Sequence, residues 1–332
     1  MLRRVGLALG AGLGLVLLLI GAAFALAQTG PGQRVLQASL ERALSGSGTK
    51  VEIDGLRGLV PFDLRLARLG FANAEGLRFE ISDLHLAWSP AALLHGRIEI
   101  PALTAERIRL DHLSSSDEPL RLPELPRSLP PIVVERLAAP QIELGPDVLG
   151  EPATFSLAGH LAGSDDGRAV VLGLDARRID QPTASASLDG RLNLDPAALQ
   201  LRLDATETGG LLARLSGRPN AGDFNLHLAG SGPLDAWTGD LRLDAERLAR
   251  ADARLKITFA QRPQLRLEGS LQPAPGLLPA QIAALVGERL ALAMTVMQPA
   301  AQRLNVQDLR LATASGELSG QAEVDLDRRQ LS

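Results

Sequence analysis

The sequence predicts an all-β protein: a long curled antiparallel sheet, apolar on one face, preceded by a transmembrane helix and a short amphipathic helix. Three observations predict it. The dominant hydrophobic period after residue 50 is two, turn signals punctuate the runs at short intervals, and no charged side chain occurs from Val5 to Ala27.

The uncharged run sets the first segment, residues 1–28. As a helix rising about 1.5 Å per residue it extends about 34 Å, enough to cross a hydrocarbon core of about 30 Å. Arg3 and Arg4 precede it and the next basic residue is Arg34, so the positive-inside rule keeps the N-terminus cytoplasmic and exports the body. Ala25-Leu26-Ala27 has the small-x-small pattern of a cleavage site. A secretory apolar region is usually about 7–15 residues, shorter than this run, which favours an uncleaved single-pass anchor.

Residues 29–48 read as an amphipathic helix and linker. Thr29 and Pro31 suit a helix start, and Val35, Leu36, Leu40, Ala43 and Leu44 recur at helical spacing opposite Gln33, Arg34, Gln37, Glu41 and Arg42. The Gly- and Ser-rich stretch from Ser45 to Thr49 ends it. A plug for the end of the fold is the simpler expectation; a helix lying on a membrane surface is the alternative.

The body, 49–332, alternates. Leu77, Phe79 and Ile81 interleave with Arg78, Glu80 and Ser82, and the same pattern recurs at Asp223–Leu228, Arg254–Phe259 and Leu318–Leu326. Strict alternation means one dry face and one wet face, as in antiparallel strands. Turns are expected at Asp54-Gly55, Asp166-Gly167, Asp189-Gly190, Gly209-Gly210 and Ser231-Gly232-Pro233. At Asp83 the apolar set slips to Leu84, Leu86 and Trp88, which predicts a bulge or short turn. Leu-Arg-Leu recurs at irregular intervals, so a fixed-period solenoid is excluded. Runs about 10–14 residues apart predict about twenty strands, which would stack to about 95 Å. Short helices are expected at Pro90–Leu94 and Leu277–Val286, and an irregular Pro-rich loop at 114–131. Trp88 is expected to anchor the first hairpins against the N-terminal helix, and Trp237 to sit in a turn.

Composition excludes several functions. There is no cysteine, hence no disulfide and no thiolate chemistry. A net charge of −4, with 3% aromatic residues and no tyrosine, leaves nucleic acid no footing. His85, His95, His112, His160 and His227 show no ligand spacing. No nucleophile elbow, P-loop or dinucleotide fingerprint occurs. Asp325 and Asp327 alternate with apolar residues and point to water. The expectation is a protein that is not an enzyme and has neither metal nor cofactor. Arg97 and Arg107 are expected on a solvated strand face, with phosphate head groups at a membrane-proximal mouth as the alternative.

A sheet of this length does not stay open and flat, because strongly twisted sheets rarely exceed about ten strands without curling, splitting or closing. Helices are too few to cover the apolar face. It must pack on a second sheet, close into a barrel or curl into a trough, and periodicity alone leaves these open. In a trough, Leu64, Leu66, Leu77, Phe79, Ile81, Ile98, Ile100, Leu226, Ile257, Phe259 and Val324 would line the apolar side. Acyl chains are the expected occupant there, each buried methylene worth about 0.8 kcal/mol.

Several segments resemble the N-terminal region of the TamB family, the translocation and assembly module subunits of the AsmA-like proteins. They are Thr29–Arg34, Val51–Leu64 and Leu84–Ile100, the last with its Trp88-Ser-Pro-x-x-Leu-Leu-x-Gly-Arg97 stretch, and Ala105–Leu110. The likeness is most specific within residues 1–110. It implies an inner-membrane signal anchor, a periplasmic β-taco-like groove, passage of phospholipid between the two membranes, and outer-membrane biogenesis. It also implies a much longer protein, whose C-terminal domain engages an outer-membrane barrel of the TamA type; this chain is then a fragment lacking that contact. An assembly factor for outer-membrane or secreted polypeptides, acting by strand addition at a sheet edge without conducting lipid, is the second expectation.

Overall fold

A computed structural model describes residues 28–46, 48–59, 62–73, 76–112, 125–149, 151–181, 184–208, 222–259, 263–300, 303–313, 315–325 and 330–331. The expected membrane span therefore lies outside the described residues. Among those described, no helix is long and apolar enough to cross a membrane.

Helix α1 (Gly30–Leu44) begins as its sequence dictates. Thr29 is the N-cap, its hydroxyl accepting the Gly32 N–H at 3.2 Å, and proline occupies the first turn. The chain then enters a row shared by two strands, β1 (Thr49–Asp54) and β2 (Arg57–Leu59), separated by the Asp54-Gly55 turn with Gly55 at φ +67°. They pair antiparallel with opposite halves of β3 (Asp63–Asn73), which returns as β4 (Arg78–Ser89). The one-turn helix α2 (Pro90–Leu93) leads to a second shared row, β5 (Ile98–Thr104) and β6 (Arg107–His112), again pairing with the two halves of β4.

The next strand, β7 (Ile132–Leu144), runs parallel to both β5 and β6. The expectation of a wholly antiparallel sheet is corrected at this row. A parallel neighbour requires the chain to travel back along the full strand before pairing, and the Pro-rich stretch at 114–131, mostly outside the described residues, is the connection that does so.

From β7 onward each strand pairs antiparallel with the next. A single helical turn, α3 (Pro146–Leu149), precedes β8 (Ala153–Gly163), which turns into β9 (Ala169–Arg178). Four strands follow: β10 (Ala184–Leu194), β11 (Ala197–Thr208), β12 (Asp223–Pro233) and β13 (Ala236–Ala245). Then come β14 (Ala249–Phe259), β15 (Pro263–Pro273), the short helix α4 (Ala280–Val286) and β16 (Leu290–Ala300). β17 (Arg303–Ala312), β18 (Glu317–Asp325) and β19 (Gln330–Leu331) complete the described chain.

All nineteen strands among the described residues belong to one long curled sheet. With two rows shared it is about 80 Å from first row to last at ~4.8 Å per row, and about 35 Å wide along a typical strand. The sequence supplies the curl. Gly159 and Gly269 stand on the apolar side, where a Cβ would come within 2.3 Å and 2.2 Å of the neighbouring strands' carbonyl oxygens at Gly173 and Asp252. Missing side chains let adjacent strands close in on that side. β7 adds to the bend: it carries two bulges against β8, between Val134 and Leu137 and between Ala139 and Ile142.

Turn chemistry agrees with the sequence at Asp166-Gly167, where Gly167 sits at φ +69°. The Ser164 hydroxyl accepts the Ala169 N–H at 2.9 Å and the Asp166 carboxylate accepts the Arg168 N–H at 3.0 Å. The expected turn at Asp189-Gly190 is corrected: both residues lie inside β10, paired with Arg202 and Leu201.

Candidate functional site

Register decides which side chains share a face. In the C-terminal half, Leu174, Leu188, Leu203, Leu228, Leu241, Ala253 and Gly269 pair in turn across β9 to β15. The next line runs Leu161, Leu172, Gly190, Leu201, Gly230, Gly239, Leu255, Leu267 and Met294. In the N-terminal half, Val51 pairs with Phe71 and Phe71 with Phe79, followed by Leu110, Leu144 and Ala153. These ladders meet on β8, so one apolar face is continuous from β1 to β18.

That continuity survives two phase slips. On β3 and β4 the apolar positions move from Leu64, Leu66, Leu84 and Leu86 to Leu69, Phe71, Ile81 and Phe79, and the step falls at Ala67 and Asp83. Asp83 has φ +49°. The slip expected at this residue is thus a left-handed backbone step that keeps both halves on the same face. Asp308, at φ +51°, makes the same step between Val306 and Leu309, where the register shifts.

Among the described residues no large side chain is fully buried. The apolar face is mostly half-buried and the opposite face mostly exposed: along β11, Leu199, Leu201 and Leu203 are half-buried while Gln200 and Arg202 are exposed. The charged face neutralises itself in cross-strand pairs, Arg68–Glu80 at 2.7 Å, Arg109–Glu143 at 2.8 Å and Arg254–Asp240 at 3.4 Å. The Glu80 and Glu143 carboxylates in turn raise the Arg68 and Arg109 guanidinium pKa values. His85 and His227 stand on this face beside Asp63 and Asp204. Arg97 and Arg107 are paired with Asp165 at 3.5 Å and Glu143 at 3.2 Å, in keeping with a solvated face. Among the described residues no three His, Asp or Glu side chains converge as metal ligands.

The expected lining residues fall on the apolar ladders. Leu64 pairs with Leu86, Leu66 with Leu84, Phe79 with Phe71 and Ile81 with Leu69. Ile98 and Ile100 pair with Ile132 and Val134. Leu226 lies between Ala205 and Leu243, and Ile257 between Trp237 and Leu265. By backbone register Phe259 opposes Pro263, and Val324 opposes Leu304 and Leu331. Leu77 lies one residue before β4, half-buried beside exposed Arg78, in the turn where the Asn73 side chain accepts its N–H at 2.7 Å.

Sequence reasoning missed Trp237. It belongs to β13, not a turn, and it is 5% exposed on the apolar face. Its ring roofs two glycines, for a Cβ on Gly230 or Gly239 would lie 2.1 Å or 2.5 Å from ring carbons. Its Nε1–H donates to the Leu199 carbonyl at 3.2 Å. The missed signal was the pair of glycines at matching register. The Trp88 ring lies 5.7 Å from that of Phe62, at the first hairpin.

Charge enters the apolar ladder at one rim. Arg178, 2% exposed, follows Leu174 and Ala176 on β9. It donates to Glu151 at 3.0 Å and, bidentate, to Asp180 at 3.0 and 3.1 Å. The guanidinium holds the Asp180 carboxyl below its usual range.

No protein-family profile, curated protein or solved structure matches the chain.

Proposed function

We propose that this chain is the membrane-proximal part of a lipid conduit of the TamB type. Residues 1–28 anchor it in the inner membrane, and the body is a periplasmic β-taco-like groove passing phospholipid toward the outer membrane. The observation that carries the reading is a continuous apolar face on a single curled sheet, half-exposed along its length and covered by no second sheet among the described residues. Exposed contiguous apolar surface of this extent marks a binding surface, and a strip of Leu, Ile, Val and Ala with its charge on the other side suits hydrocarbon. Its chemistry is binding, with no catalytic step. The resemblance within residues 1–110 supports the same reading.

Site-specific photocrosslinking in membranes tests it. Probes replacing Phe79 or Leu241, on the apolar face, should capture phospholipid, and probes replacing Glu80 or Arg242 should not. Equal lipid labelling at all four positions would overturn the conduit. Capture of outer-membrane polypeptides without lipid at the apolar positions would instead select the assembly-factor role.

A further inference from the structure

We infer that α1 is a foot resting on the surface of an anionic bilayer, which sets the first row of the sheet at the membrane. The inference rests on the anchor in the proposed function and adds a surface to it.

The sheet fixes how α1 is turned. The Glu41 carboxylate accepts the Ile53 N–H at 2.8 Å and the Ser45 hydroxyl accepts the Val51 N–H at 3.0 Å. α1 thus lies along the outer edge of β1, occupying backbone donors that would otherwise pair with a further strand. Beneath this edge Val51 and Ile53 are buried. The packing does not consume the helix's own apolar side: no residue of α1 is buried, and Val35, Leu40 and Leu44 are 66%, 42% and 56% exposed.

Two observations name the occupant. The apolar run ends at Ala27, two residues before the N-cap Thr29. At ~3.5 Å per extended residue, a span ending there holds the start of α1 within about 7 Å of the interface. Tethering at that distance makes a weak surface affinity sufficient, because the local lipid concentration is high. Charge agrees. The helix's one carboxylate, Glu41, is turned to the sheet, whereas Arg34 and Arg42 are exposed and have no carboxylate partner among the described residues. Exposed aliphatic side chains, with Arg42 flanking Val35 two turns on, fit a surface containing anionic phospholipid.

The chain has no cysteine, so single thiols report position. The full-length protein is reconstituted in phosphatidylethanolamine–phosphatidylglycerol vesicles with brominated acyl chains, and a bimane label is placed at Val35→Cys, Leu40→Cys, Leu44→Cys, Leu17→Cys or Arg254→Cys. The expected result is strong quenching at Leu17, shallow quenching at 35, 40 and 44 several-fold above that at Arg254, and loss of the shallow component in Arg34→Gln/Arg42→Gln. Quenching at Leu17 with none at the three helix positions overturns the foot and leaves the anchor standing. No quenching at Leu17 removes the anchor and the foot together. Helix labels shielded from a water-soluble quencher but untouched by brominated lipid would mean that protein covers the stripe, and this too overturns it.

Discussion

Arg178 and Trp237 mark opposite ways of ending an apolar ladder. Arg178 is kept charged in a buried place by two carboxylates, and removing a buried ion's partner leaves the others uncompensated. Arg178→Met should therefore cost about 2–3 kcal/mol near neutral pH, since Asp180 and Glu151 retain some solvent. The cost should depend on pH with a definite sign. The folded-state pKa of Asp180 is depressed, so its contribution is present above the unfolded carboxylate value and is lost as pH falls through the folded one. Urea unfolding of the two proteins should converge as pH falls below the unfolded carboxylate range, and a gap constant in pH would refute the pairing as its source. Trp237 acts through packing. Gly230→Ala drives a methyl into the indole and toward the Thr238 carbonyl, 2.5 Å away, and should cost about 2–3 kcal/mol, the upper range for overpacking. In the Trp237→Ala background the cost should fall by about half. A double-mutant cycle with no coupling would show that the ring does not lie over the glycine.

Strands and their phases were the most legible level of this sequence, because a period of two is imposed on every row by one wet face and one dry face. Leu226 and Ile257 could be assigned to the apolar side from alternation alone, and register places them there. The slip at Asp83 was legible for the same reason, while its backbone form was not: alternation shows that a phase changes but not which residue turns left-handed. Aspartate tolerates φ near +50° better than most residues, whereas a β-branched side chain does not. Asp83→Val should destabilise by about 1–2 kcal/mol and Asp83→Gly should be neutral or gain slightly, as read by thermal melts. Equal effects of Val and Gly would mean that the carboxylate, not the backbone, holds the step. The parallel row at β7 was not legible, since a Pro-rich stretch has the same composition whether it closes a hairpin or carries the chain back along the sheet. Trp237 was misplaced because Ser231-Gly232-Pro233 reads locally as a turn, and the register that brings Gly230 beside Gly239 is a long-range fact.

At the scale of the whole molecule, a single layer without a sealed core has an unusual source of stability. Among the described residues each row from β8 to β18 pairs only with the row before and the row after it. Stability is then a sum of row terms and nearest-neighbour terms, as in a solenoid, although the sequence has no fixed repeat. A sandwich of the same strands would behave differently, because rows distant in sequence would touch across the core and unfold together. Native-state hydrogen exchange separates the two cases. Blocks of adjacent hairpins should open independently, with the middle rows β10 to β14 protected longest and the last rows, β17 to β19, exchanging first. Bound acyl chains would touch many rows at once. Adding phospholipid should therefore slow exchange across the blocks together, without altering their order. One cooperative unit spanning β8 to β18 in the absence of lipid would mean that the apolar face is sealed by protein, and a sealed face has no room for hydrocarbon.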